Sequence, residues 1–335
     1  MITVVKPGLL TTVQDLGRYG YQKFGVIVSG AMDHFAHTIA NYLVGNDANE
    51  ATLEITLVGP ELIFKNDALI SICGANISPM INGKPVPTWH PIFLKAGCKL
   101  TFGPLRTGCR TYLAIAGGIN IPEVMRSKST YLRANIGGIK GRPLQKDDRI
   151  SVGKPSKLGD IIMEYLQGKT HEDSFAIGSW TVPTHIYPWN NKEIHIRVMR
   201  GYQFSLFTKE SQKEFFTSPY LVTSQSDRMG YRLDGPPLSL KVAKEMISEA
   251  VDYGTIQVPA DGKPIILMAD RQTTGGYPKI AQVASVDLPL VAQAKPGDKL
   301  FFHEISHEDA QRLYLERIMY LQQIQQSIQI KFQQS

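Results

Sequence analysis

The sequence predicts a mainly β protein of two domains, with few helices and one helix at its carboxyl end. Three observations carry that expectation. The 335 residues exceed what one ordinary core holds. Glycine and proline, 29 and 20 of them, punctuate the chain every few residues. The runs left between them are short and apolar, such as Ile2–Val5, Leu69–Cys73, Thr111–Ala116 and Ile265–Met268. Short runs bounded by turn residues read as strands, and many of them with long connections suggest sandwiches or barrels, which remove open sheet edges by closure.

Two segments read as helices. From Met32 to about Leu43, Ala36, Ile39, Ala40 and Leu43 share a face, and Asp33 suits the positive end of the helix dipole. In the tail, Ser306-His-Glu-Asp309 looks like a capping signal, and Tyr314, Ile318, Leu321 and Ile328 form an intermittent apolar stripe. That stripe needs a surface, supplied either by its own domain or by a partner.

A weak internal repeat supports two related β domains. Asn82-Gly-Lys-Pro-Val86 is echoed by Asp261-Gly-Lys-Pro-Ile265, and Ala96-Gly-Cys-Lys-Leu-Thr-Phe102 by Pro296-Gly-Asp-Lys-Leu-Phe-Phe302. Ser29-Gly-Ala-Met32 loosely matches Ser226-Asp-Arg-Met229, and the three echoes fall in compatible order. The expected divisions are residues 1–185, 186–305 and a helical tail 306–335.

Composition narrows the function class. A hydrophobic share of 43% and a charged share of 20% describe a globular chain. The net charge of +6, from 36 basic and 30 acidic residues, is spread along the chain with no basic block interleaved with aromatics, which argues against nucleic-acid binding. Cys73, Cys98 and Cys109 have neither disulfide-framework nor zinc-ribbon spacing. The amino-terminal residues lack a charged region followed by a long apolar run, and no later stretch approaches about 18 apolar residues; the expectation is a cytoplasmic protein that does not bind membranes.

The common catalytic signatures are missing: there is no P-loop, dinucleotide-binding glycine turn or G-x-S-x-G elbow. His303-Glu-Ile-Ser-His307 satisfies H-E-x-x-H, which binds zinc only from one face of a continuous helix. Here Lys299–Phe302 reads as a strand and Ser306 as a helix cap, so no metal site is expected.

Four polar clusters remain. Gln14-Asp-Leu-Gly-Arg18 with Gly25–Asp33 sets polar groups among glycines, which suits either close approach to a ligand or structural turns with Asp15 and Arg18 paired. Ser127-Lys-Ser-Thr-Tyr131, Arg133 and Asn135-Ile-Gly-Gly138 hold the ingredients of an anion cradle, or of a solvated glycine-rich loop. Ser224-Gln-Ser-Asp-Arg-Met-Gly-Tyr-Arg232 carries two arginines that suit a carboxylate or phosphate, or an internal ion-pair network. Asp270-Arg-Gln-Thr-Thr-Gly-Gly-Tyr-Pro278 follows an apolar strand, and strand-end loops favour binding groups. Its carboxylate, guanidinium, amide and hydroxyls suit a small polar ligand and a proton transfer.

The runs Pro7–Arg18, Ser29-Gly-Ala-Met-Asp33, Ala40-Asn-Tyr-Leu-Val-Gly-Asn46, Glu54-Ile-Thr56, Ser226-Asp-Arg-Met-Gly-Tyr-Arg232, Ile256-Gln-Val-Pro259 and Asp270–Pro278 resemble the KipA family over residues 1 to about 305. That family is also described as the C component of 5-oxoprolinase, as allophanate hydrolase subunit 2 and as a biotin-dependent carboxyltransferase domain. The resemblance implies two cyclophilin-like β-barrel domains. It implies one component of an ATP-dependent 5-oxoprolinase that opens the 5-oxoproline lactam to glutamate, inactive alone and working with a KipI-type subunit (the B component) and a third subunit (the A component). ATP, with Mg, would be used at the level of the complex. Two other activities accompany the family: antagonism of a KipI-type kinase inhibitor, and carboxyl transfer from carboxybiotin to urea or another small amide. This chain has no Met-Lys-Met attachment sequence, so biotin would arrive on another chain.

The clusters in each half of the repeated chain are expected to line one pocket. Asp227, Arg228, Asp270 and Arg271 are the candidate catalytic residues. Ser29, Asp33, Tyr131, Arg133, Arg232, Gln272, Thr274 and Tyr277 are the candidate substrate-binding residues.

Overall fold

A computed structural model describes residues 1–170, 174–183, 187, 193–242 and 246–333. The expected boundary between residues 185 and 186 lies outside the described residues. The strands in chain order are β1 (Ile2–Lys6), β2 (Leu10–Gln14), β3 (Thr52–Thr56), β4 (Glu61–Phe64), β5 (Ala68–Asn76), β6 (Pro79–Ile81), β7 (Lys84–Pro85), β8 (Pro91–Leu94), β9 (Lys99–Phe102), β10 (Thr107–Ile115), β11 (Arg149–Ile150) and β12 (Phe175–Ile177). They continue with β13 (Glu193–Arg200), β14 (Tyr220–Val222), β15 (Gly230–Asp234), β16 (Glu249–Ala250), β17 (Thr255–Gln257), β18 (Ile265–Leu267), β19 (Thr274–Gly275), β20 (Lys279–Val283) and β21 (Lys299–Glu304). The helices are α1 (His34–Leu43), α2 (Lys157–Gln167), α3 (Lys209–Thr217), α4 (Leu288–Gln293) and α5 (His307–Gln333). The protein is mainly β.

The chain divides into two compact units: unit 1 comprises residues 1–18, 29–186 and 320–335, and unit 2 comprises 19–28 and 187–319. In unit 1 two six-stranded sheets, ordered β11-β1-β4-β9-β6-β7 and β12-β8-β5-β10-β3-β2, share one apolar core. Val4, Leu62, Phe64 and Leu100 enter it from the first sheet, and Leu53, Ile70, Ile72, Leu94 and Leu113 from the second. In unit 2 a closed barrel runs β13-β20-β17-β18-β15-β14-β21. Period-two alternation drives that closure: along β13, Ile194, Ile196 and Val198 are buried while Glu193 and His195 are exposed. Phe302 of β21 stacks on Phe215 of α3, centroids 4.7 Å apart.

Both expected helices form. Asp33 caps α1, its Oδ1 accepting from Ala36 N–H at 2.9 Å. Ser306 Oγ accepts from Asp309 N–H at 3.0 Å at the start of α5. The α5 stripe differs from the expected one: Tyr314 is 48% exposed, while Ile328 and Phe332 are buried, Phe332 packing edge-on against Trp180 in unit 1. The helices α2, α3 and α4 are additional. The first two are short but capped, by Ser156 Oγ and Thr208 Oγ1 respectively. Gly159, which obscures α2 in the sequence, lies close against Val44, where an added Cβ would stand 3.1 Å from the carbonyl oxygen.

One of the three sequence echoes shares its backbone geometry, and a second shares it at the glycine alone. In Lys95–Cys98 and Lys295–Asp298 the glycine is left-handed, at φ 88° and 94°, and the following N–H returns to the lysine carbonyl at 3.3 and 3.0 Å. Asn82-Gly83 turns the β6–β7 hairpin with both φ positive, and Gly262 is left-handed just ahead of β18. In the third echo Ser29 and Gly30 are left-handed, whereas Ser226–Met229 contains no left-handed residue. No described helix is long and apolar enough to cross a membrane.

Candidate functional site

The first two polar clusters converge in unit 1. Asp15 follows β2 and is buried; its Oδ1 accepts from the Gly17 N–H at 2.8 Å and from the Ser127 and Ser129 hydroxyls, and its Oδ2 from the Lys128 N–H at 2.6 Å. The Arg18 guanidinium, fully buried, donates to the carbonyls of Val124 and Ser129 at 2.9 and 2.8 Å. Lys128 Nζ pairs with Glu50 at 2.6 Å, and Thr130 Oγ1 donates to the Val13 carbonyl. The hydroxyls that looked like an anion cradle therefore hold a buried carboxylate, which orders the loop after residue 124 against β2.

Ser29 is the buried bridge between the clusters. Its backbone is left-handed and its Oγ donates to the Thr130 carbonyl at 2.9 Å, one residue before Tyr131. Tyr131 and Ile136 exchange backbone hydrogen bonds around the turn Leu132–Ala134, which presents Arg133 to solvent. Left-handed residues crowd this loop at Met125, Arg126, Asn135, Gly137, Gly138, Lys140 and Gly141. Such backbone persists only where its surroundings over-determine it, and it gathers at functional loops. Here the confinement is visible: a Cβ on Gly138 would stand 1.9 Å from Thr130 Oγ1, and one on Gly137 2.0 Å from the Ser129 carbonyl oxygen.

Asp33 is tied to a second buried network. Its N–H donates to Tyr112 Oη at 2.7 Å; Tyr112 donates to Glu54 Oε2 at 2.8 Å, and the Met32 N–H donates to the same oxygen at 2.8 Å. Arg110 Nε lies 3.9 Å from Glu54 Oε1. Burial, then the carboxylates of Glu54 and Asp33, push the Tyr112 phenol well above its ordinary range, so it is a hydroxyl donor here.

Unit 2 places its candidates in separate settings. Arg228 and Asp270, both buried, meet through two hydrogen bonds of 2.9 and 3.0 Å. Asp227 Oδ1 accepts from the Met229 and Gly230 N–H groups, which turns the chain into β15. Arg271 is buried, reaches Asp252 Oδ1 at 2.7 Å and lies 5.7 Å from the Tyr253 ring centre. Gln272, Thr274 and Tyr277 are exposed. Thr274 belongs to β19, which pairs with β16, and Gly275 lets the backbone approach the Gln257 side chain, since a Cβ would stand 2.9 Å from Gln257 Oε1.

Two cavities of unit 2 take different members of this set. One, of about 690 Å³, has mostly apolar walls that include Phe207, Leu238, Met246, Val258 and Tyr277. The other, of about 260 Å³, is polar and is lined by Thr223, Ser224, Gln225, Arg232, Asp261 and Lys263 among others. Neither has the Arg228–Asp270 pair in its lining. His303 lies in β21 and His307 opens α5, so the two straddle a strand–helix junction. His303 Nε2 instead stands 2.7 Å from His195 Nδ1 on β13. No group of three or more His, Cys, Asp or Glu side chains among the described residues is placed to hold a metal.

The sequence matches the family described as "Carboxyltransferase domain, subdomain A and B" over residues 24–304. The chain belongs to that family. This carboxyltransferase-domain chain is 38% identical over 324 residues to the C component of 5-oxoprolinase from Escherichia coli (strain K12), covering 97% of each. It is 36% identical over 331 residues to the C component of 5-oxoprolinase from Haemophilus influenzae, covering 99% of this chain and 100% of that one. Among solved structures, the Kluyveromyces lactis urea amidolyase superposes with a TM-score of 0.84 at 30% identity, over 96% of this chain and 20% of that one. The carboxyltransferase-domain chain thus spans about a fifth of the urea amidolyase.

Glu54 and Tyr112 were not among the candidates read from the sequence. The signal was available for Glu54: it sits between Leu53 and Ile55 in a strand whose residues are nearly all buried, and a carboxylate on such a strand must meet a partner. Tyr112 gave no such signal, because a tyrosine in an apolar strand is ordinary core.

Proposed function

We propose that this chain is the C component of an ATP-dependent 5-oxoprolinase, which opens the 5-oxoproline lactam to glutamate in the cytoplasm. In this reading it acts with a KipI-type partner, the B component, and with a third chain, the A component, and does little alone. The observation that carries the reading is the extent of the likeness. Two 5-oxoprolinase C components correspond over 97% and 100% of their own lengths, and urea amidolyase over 20% of its length.

An amide carbonyl is a poor electrophile, and transfer of a phosphoryl group to its oxygen activates it. Guanidinium groups and backbone amides then stabilise developing negative charge. In this reading the buried Arg228–Asp270 pair, which lines neither cavity, supports the site by holding the loop before β15 in place, since both carboxylate oxygens accept from the guanidinium.

ATP is assigned to the complex. The 690 Å³ cavity has no Lys, Arg or His in its lining to meet a triphosphate, so that cavity does not fit the nucleotide. The family description favours a second reading, carboxyl transfer from carboxybiotin borne by another chain to a small amide.

The test is reconstitution with the two partner chains. ADP release that requires 5-oxoproline and stops when this chain is omitted supports the oxoprolinase reading. Consumption of carrier-borne carboxybiotin with urea, and no 5-oxoproline turnover, replaces it with the second. Tight association with a KipI-type partner and no turnover of either kind points to a regulatory antagonist.

A further inference from the structure

We infer that the polar pocket of unit 2 is a subsite for a small cyclic amide bearing a carboxylate, with Arg232 holding the carboxylate and Gln225 the amide. The inference deepens the 5-oxoprolinase reading and rests on it for the ligand's identity; the pocket itself stands on geometry.

The charges of the pocket are unevenly matched. Lys263 Nζ pairs with Asp234 Oδ1 at 2.7 Å, and Asp261 Oδ1 accepts from the Lys263 N–H at 3.0 Å. The Arg232 guanidinium has no carboxylate partner among the described residues, although Asp234 and Asp261 line the same pocket. Its backbone is fixed without a ligand. The Arg232 N–H donates to Ser226 Oγ at 3.1 Å, the Thr223 N–H donates to the Arg232 carbonyl at 3.0 Å, and Arg232 stands opposite Ile265 in the β15–β18 pair. Arg232 is exposed, and its planar guanidinium offers two parallel bonds to a carboxylate.

Gln225 faces the same space, and its carboxamide makes no hydrogen bond among the described residues. A lactam ring forces its amide into the cis form, so its N–H and C=O lie on one edge. A primary carboxamide also presents a donor and an acceptor on one edge, so the two can bond twice. An open-chain trans amide cannot match that edge. The volume of about 260 Å³ admits a single small ring.

The test uses the full chain with 5-oxoproline, and with 2-pyrrolidone as the same ring without a carboxylate, each titrated calorimetrically. Wild type is expected to bind 5-oxoproline. Arg232→Ala should weaken it by about tenfold or more, the size of a lost charge-assisted contact, and Arg232→Lys should recover part of the loss. Gln225→Leu should weaken both ligands, and Arg232→Ala should leave 2-pyrrolidone unchanged. Absence of 5-oxoproline binding to the wild-type chain, or equal binding by wild type and Arg232→Ala, overturns the subsite. The reconstituted complex separates the two claims. Turnover with an unchanged KM in Arg232→Ala removes the subsite and keeps the oxoprolinase reading. Arg232-dependent binding in a complex that never turns over 5-oxoproline keeps the subsite and removes the oxoprolinase reading.

Discussion

Arg228 and Asp270 form a buried fork in unit 2: Nε donates to Oδ2 at 2.9 Å and Nη2 to Oδ1 at 3.0 Å, while the Asp270 N–H donates to the Arg228 carbonyl at 2.7 Å. Side chain and backbone thus lock the approach to β15 onto the end of β18. Removing one member takes both bonds of the fork from the other, a buried charge, which costs about 3–5 kcal/mol. Arg228→Ala and Asp270→Asn should each lower the urea midpoint of the chain, and both should abolish 5-oxoproline-dependent ATP hydrolysis in the reconstituted complex. Full activity in either variant removes the pair from the site.

The fork also shows what could be read in advance. Arg228 and Asp270 stood out because each sits in a dense polar run next to an apolar strand, and turn residues marked where strands end. Their pairing was out of reach, because it depends on the register that sets β15 against β18, Gly230 opposite Leu267. The same limit hid the fate of Ser127 and Ser129. Composition left them open between an anion cradle and a solvated loop, whereas the return of the chain beside β2 makes them donors to Asp15. The strands themselves were legible because apolar runs and turn residues act locally, and α2 was not, because Gly159 interrupts its pattern while the packing of that glycine against Val44, distant in sequence, exists only in the fold.

His37 gives unit 1 a pH-dependent stability. Burial above all, then the neighbouring His34 charge, lowers its pKa from 6.5 to about 4. Its Nε2 lies 3.1 Å from the Ala48 carbonyl, which only accepts, so Nε2 carries the proton and Nδ1 faces the Thr52 hydroxyl. Between about pH 4 and 6.5 the unfolded chain binds a proton that the folded chain lacks, so stability falls as pH drops through 6.5 and the loss is complete below 4. The contribution is about 2 kcal/mol at pH 5 and about 3 kcal/mol below pH 4. Urea midpoints at pH 7 and pH 5 should differ more for wild type than for His37→Gln; equal differences would exclude His37 as the source.

Gly138 and Gly83 separate conformational strain from collision. Both are left-handed, at φ 54° and 80°. An added Cβ at Gly83 meets nothing within 4 Å, whereas at Gly138 it stands 1.9 Å from Thr130 Oγ1. Gly83→Ala should therefore cost only the left-handed penalty, about 1–2 kcal/mol. Gly138→Ala should cost more and should displace the loop that carries Tyr131 and Arg133. Urea unfolding ranks the two, and a smaller loss at Gly138 would show that the loop yields without resistance.

Tyr112→Phe tests whether Glu54 positions the Ser29–Asp33 segment through the tyrosine hydroxyl. The substitution keeps the ring, and with it the edge-on packing against His37 at 6.1 Å, so only the hydroxyl is lost. The Asp33 N–H then loses its acceptor and Glu54 Oε2 loses one of its donors. Tyr112 is fully buried, so water does not replace either bond, and the expected loss is about 1–3 kcal/mol. The sharper measurement is amide hydrogen exchange. The Asp33 amide should exchange faster in Tyr112→Phe, while the Ala36 amide, held by the Asp33 carboxylate at 2.9 Å, keeps its protection as long as the cap survives. Faster exchange at both would mean that the hydroxyl holds the start of α1 itself, and unchanged exchange at Asp33 would remove Tyr112 from the positioning role.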